Sequence, residues 1–160
     1  FQHANNILER IASDEIFAKN VRDLTIRGYS QRADHEGIRS SATDERMRSY
    51  LVVHLGLLLQ ALKNLTSLKS LRISRSDLDR SVAQGILEYH PHLQTLSFGK
   101  SGVIPPDLAA ISSLQSLSLW SVANSIQNQE TTSSILQNCG DTLRDLELGA
   151  IEGAAAWLEQ

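Results

Sequence analysis

The residues that could do chemistry are few. The closest pairing of histidines is His90-Pro91-His92, two imidazoles flanking a proline. Zinc needs three or four converging ligands, and no cysteine or acid stands at a matching spacing, so no metal site is expected. The single cysteine, Cys139, precedes Gly140 at the end of an apolar-periodic segment, with no base indicated nearby. It reads as a small buried packing group rather than a nucleophile. GxSxG, HExxH, phosphate-loop and dinucleotide fingerprints are all absent, and the nine glycines are scattered. An enzyme is not expected, nor is a cofactor; a hydrolase would require a nucleophile, a base and an orienting group to converge in space. Asn64-Leu65-Thr66 fits the glycan-acceptor pattern, but Leu65 is needed inside a packed repeat, which makes the match a coincidence.

What remains is recognition. Arg32, Arg39, Arg46 and Arg48 could touch phosphate, yet Asp34, Glu36, Asp44 and Glu45 are interleaved with them, and the whole chain carries a net charge of -3. Nucleic acid is therefore not the expected partner. Charge is divided unevenly: residues 1–80 hold 13 basic and 10 acidic side chains, residues 81–160 hold 2 and 8, giving +3 and -6.

The elements that must position a binding surface follow from composition. Of 160 residues, 24 are Leu and 20 are Ser, an excess that points to internal repetition. Five segments share one apolar-x-x-apolar-x-apolar frame: Val21/Leu24/Ile26, Leu68/Leu71/Ile73, Leu93/Leu96/Phe98, Leu114/Leu117/Leu119 and Leu143/Leu146/Leu148. Their first residues lie 47, 25, 21 and 29 apart. The last three intervals suit leucine-rich repeats. Residues 28–49 form a polar run of 22 whose removal returns the first interval to 25, so they read as a flexible insertion within one repeat.

Alternation in each frame predicts a short strand with its apolar residues on one side. Parallel stacking of such strands buries the leucine side and leaves the intervening residues on an open sheet. The expected fold is α/β: a right-handed leucine-rich-repeat solenoid with a concave parallel sheet and an irregular helical convex side, one domain over 1–160. Helical spacing marks the return segments Asn5–Lys19, Met47–Leu65, Ser81–Tyr89 and Thr131–Gln137, while Pro105 and Pro106 leave room for one brief turn through Leu108 and Ile111. The chain opens on Phe1, and Ala154–Gln160 still reads as helix, so a fragment of a longer array is expected. The most apolar window, Tyr50–Leu62, is shorter than the roughly 20 residues of a membrane span. One cysteine fits a reducing, intracellular compartment.

These residues resemble the leucine-rich-repeat region of F-box proteins, in particular the divergent set of filamentous fungi. Ile7–Gly28, with a helix leading into Val-Arg-Asp-Leu-Thr-Ile, is similar to the segment that begins the repeats in that family; Leu57–Ser74, His90–Phe98 and Ile135–Leu148 are similar to later repeats. The F-box itself is not visible between Phe1 and Lys19. The resemblance implies a module that holds a protein substrate for a cullin-type (SCF) ubiquitin ligase, meeting the ligase adaptor only through an F-box outside this chain; it rests on analogy of fold. A repeat scaffold without a ubiquitin role is the alternative. Ser101–Leu119 also resembles the Ser-Gly-x-Ile-Pro run of plant extracellular repeats, but the asparagine ladder of that type is replaced by Ser76, Ser101 and Val122.

The partner-binding residues expected on the concave sheet are Arg27, Arg72, Ser97, Ser118, Trp120 and Glu147. Basic groups stand at one end, hydroxyls in the centre, and Asp145 and Glu147 at the other, which suits a partner with complementary charge order. Trp120 follows Leu119 and so points away from the leucine core, as an exposed interface anchor would, or else folds over a neighbouring segment.

Overall fold

Each apolar frame forms one five-residue strand, and the spacing between frames is taken up outside the sheet. In the computed structural model, which describes residues 2–27, 55–74, 80–99, 103–120, 122 and 125–149, the strands are β1 (Asp23–Arg27), β2 (Ser70–Ser74), β3 (Thr95–Gly99), β4 (Ser116–Trp120) and β5 (Asp145–Gly149). They make a single parallel sheet in sequence order, β1-β2-β3-β4-β5. Parallel neighbours cannot be joined by a tight hairpin, so every pair needs a return segment across one face.

Those return segments are helical. Ahead of β1 come α1 (Gln2–Ser13) and α2 (Glu15–Asn20); residues 55–64 form α3, and α4 (Arg80–Tyr89), a 3₁₀ turn (Pro106–Ala110) and α5 (Ile126–Asn138) follow. The single helix expected over Asn5–Lys19 is broken at Asp14. This residue is extended, and its carboxylate accepts the Phe17 N–H at 2.9 Å, so it starts a second helix as an N-cap. Asn64 on α3 ties the end of α1 in place by donating its side-chain amide to the carbonyls of Ile11 and Ala12, at 3.2 and 2.8 Å. An amide so engaged is the opposite of a glycan acceptor, which presents its nitrogen to solvent. The last helix begins earlier than the expected Thr131, because Ser125 rather than Thr131–Ser133 caps it by accepting the Asn128 N–H. The insertion at 28–49, with its four arginines, and the terminal run containing Trp157 lie outside the described residues.

The frame residues of the inner strands make the core. Leu71, Ile73, Leu96, Phe98, Leu117 and Leu119 are buried together with Leu62, Val82, Ile86, Leu108 and Ile135 from the return segments. One buried slot recurs just before β1, β2, β3 and β5. Val21 N–H bonds the Ala18 carbonyl, Leu68 that of Leu65, Leu93 that of His90, and Leu143 that of Cys139; Ala18, Leu65, His90 and Cys139 are all buried there. A second feature repeats four times: one carbonyl accepts two consecutive N–H groups from the next strand. Arg22 takes Lys69 and Ser70, Lys69 takes Gln94 and Thr95, Gln94 takes Gln115 and Ser116, and Gln115 takes Arg144 and Asp145. These bonds set the register irrespective of the length of the return segment.

Burial fails where stacking stops. Leu96 and Leu117 are fully buried, whereas Leu146, the same frame position on β5, is 40% exposed because no described strand lies beyond it. On β1, at the other edge, Leu24 and Ile26 are only half-buried. No described helix is long and apolar enough to cross a membrane.

Candidate functional site

Side chains alternate across a strand, so the residues between the frame leucines face the side of the sheet that no described helix covers. In-register pairing arranges them in rows that cross all five strands. The central row is Thr25, Arg72, Ser97, Ser118 and Glu147; on one side runs Arg27, Ser74, Gly99, Trp120 and Gly149, and on the other Asp23, Ser70, Thr95, Ser116 and Asp145. Four of the six expected binding residues, Arg72, Ser97, Ser118 and Glu147, therefore share one row. Arg27 and Trp120 share the next, at separate strands. Arg72 and Glu147 are three strand spacings apart, about 14 Å, with two hydroxyls between them.

The acidic end is the most structured part of this face. Ser118 donates its hydroxyl to the Glu147 carboxylate at 2.9 Å. The indole N–H of Trp120 reaches the same carboxylate, and these bonds, the indole's first and that of Ser118 second, hold the Glu147 carboxyl below the usual carboxylate range. The ring of Trp120 extends over β5: a Cβ built on Gly149 would lie 2.5, 2.7 and 2.9 Å from Cε2, Cδ2 and Cζ2. Glycine at 149 is what lets the indole lie down. Even so, Trp120 remains 49% exposed. The indole thus lies over the neighbouring strand, rather than over Val122 or a loop, and stays open to solvent. On its other flank Gly99 contributes no side chain, and a Cβ there would meet only Ser74, at 3.6 Å.

Sequence reasoning picked out Trp120, Ser118 and Glu147 separately but missed their coupling and the part played by Gly149. The usable signal was the glycine at the last strand position of both neighbours of the tryptophan strand. It missed Asn128 altogether. This buried side chain accepts the Ile104 N–H at 2.8 Å and so satisfies a backbone donor in the irregular segment before the 3₁₀ turn.

The other candidate groups are dispersed. His92 is exposed, whereas His90 is buried in the slot before β3, where burial pulls its imidazole down and the Leu62 carbonyl, accepting from the ring, partly opposes this. Its Nε2 has no partner among the described residues. Cys139 is fully buried, donating to the Ile111 carbonyl at 3.4 Å, and burial pushes its thiol up, away from the thiolate a nucleophile requires. Across the helical side, Asp107 receives Arg80 at 3.1 Å and Gln84 at 3.2 Å. Burial raises the Asp107 carboxyl, but these two donors outweigh it and leave it below the usual range. Among the described residues no three His, Cys, Asp or Glu side chains come together as a metal would need.

No protein-family model matches the chain, and no curated protein matches it.

Proposed function

We propose that the chain is a leucine-rich-repeat solenoid segment and that its open sheet face binds another protein. The repeat reading is supported by five strands of equal length paired without a register shift, four of them (β1, β2, β3 and β5) entered through the same buried slot and four (β2 to β5) through a shared carbonyl. The observation that carries the binding reading is the row Arg72-Ser97-Ser118-Glu147: a polar stripe on a face that no described helix covers, basic at one end and acidic at the other. Such a stripe sets the register and orientation of an extended partner through complementary charge, while Trp120 supplies apolar contact area.

The resemblance to F-box proteins extends this to a role: the face holds a protein that a cullin-type ligase ubiquitinates, and the chain performs no chemistry of its own. An intracellular setting goes with that role. The module would be a plain interaction scaffold if its partner's lifetime does not depend on it.

Both parts are testable with the full protein. Capture of its partners by wild type, Arg72→Glu and Trp120→Ala, with folding checked by circular dichroism, addresses the surface. Both variants should fold and capture less; undiminished capture by both contradicts the face assignment. Deleting the gene and following the captured protein's half-life addresses the role, since a ligase substrate becomes longer-lived and a scaffold partner does not.

A further inference from the structure

The Trp120 ring lies over Gly149 on one side, with its N–H toward the Glu147 carboxylate, which leaves the opposite side of the indole as the exposed part. An aromatic face carries negative charge density and attracts a cation within about 6 Å of the ring centre. Here the ring donates its N–H to a carboxylate, so a full negative charge stands at its edge. Asp145 lies two residues before Glu147 on the same side of β5 and is exposed, and residues 81–160 carry a net charge of -6. Gly99 keeps the approach clear on the β3 side, where a side chain would otherwise rise beside the ring. An aromatic surface with an adjoining, already oriented carboxylate is complementary to a long side chain that ends in positive charge, whose methylenes lie on the indole and whose head meets the acid.

We propose that Trp120 and Glu147 form a subsite for a lysine or arginine side chain of the protein held on the open face. This rests on the reading of that face as a protein-binding surface and specifies one feature of what it binds. Because the carboxylate is already oriented by Ser118 and Trp120, little ordering is needed when the cation arrives, which favours a defined position over a diffuse attraction. The opposite end of the stripe, at Arg72, takes an acidic group about 14 Å away. An extended segment advances about 3.3 Å per residue, so basic and acidic residues about four apart would reach both ends.

The test is selection of a random peptide library, displayed on phage, against the full chain and its variants. Peptides enriched on wild type should share a lysine or arginine, and replacing it by norleucine should weaken binding about tenfold. Glu147→Lys, an exposed substitution, should reverse the preference at that peptide position to aspartate or glutamate. Trp120→Phe should retain part of the affinity, and Trp120→Leu should lose it. Peptides that lack a shared basic residue, or basic peptides held equally well by Glu147→Lys, overturn the cation subsite while the binding reading stands, provided Arg72→Glu weakens them. No enrichment on wild type above an unrelated protein overturns both.

Discussion

Trp120 and Gly149 are paired across β4 and β5, and the indole occupies the space that a side chain at 149 would take. This contact makes the tryptophan part of the sheet surface rather than a freely moving side chain. It also joins the two strands on the face opposite the core, where the leucines cannot help.

Gly149→Ala should displace the ring, because the new methyl would stand 2.5 Å from Cε2. The expected result is a cost of about 1–3 kcal/mol and a changed Trp120 indole N–H resonance as its bond to Glu147 is lost. Gly99→Ala, with its nearest atom at 3.6 Å, should leave both unchanged. Equal behaviour of the two variants would contradict the packing described.

Leu96→Ala and Leu146→Ala separate the middle of the sheet from its edge. Leu96 is fully buried between β2 and β4, so truncation should cost about 2–5 kcal/mol in urea unfolding. Leu146, 40% exposed, should cost well under half of that. A larger loss at Leu146 would show that the edge is covered in solution.

Asn128→Ala removes the acceptor of a buried backbone N–H. A loss of about 1–3 kcal/mol is expected, together with faster hydrogen exchange at the Ile104 amide. Protection of that amide in the variant would show that another group satisfies it.

His90 makes stability depend on pH. Its folded pKa is lowered by burial, so the unfolded chain binds the proton more readily. The contribution is complete above about pH 6.5 and declines as pH falls below it. His90→Leu should flatten the stability profile below about pH 6.5. The equivalent slot holds Leu65 one repeat earlier, so leucine should fit; losing the ring's bond to the Leu62 carbonyl and removing Nε2, which has no partner among the described residues, act in opposite directions, so stability at pH 8 should stay within about 1 kcal/mol of the parent's. An unchanged slope in the variant would assign the pH dependence to other groups.

The sequence by itself determined the strands. A period of two with leucine, isoleucine or phenylalanine at fixed frame positions can bury its apolar side only one way, so β1 to β5 and the outward residues Arg72, Ser97, Ser118 and Glu147 could be read directly from the spacing. Helix ends were less legible. They depend on which polar side chain turns back to the backbone, and at Asp14 and Ser125 that choice is made by local geometry among several candidate caps. Only the tertiary structure decided how the outward residues combine. Ser118 and Glu147 are 29 positions apart, and they meet because parallel pairing aligns β4 with β5 after the intervening helix has been spanned. The resting place of Trp120 was equally undetermined, since an outward side chain can lean toward either neighbouring strand. The indole covers Gly149 beside Glu147, where β5 offers both a bare backbone for the ring and a charged acceptor for its N–H, whereas β3 offers the bare backbone of Gly99 with only the neutral Ser97 hydroxyl.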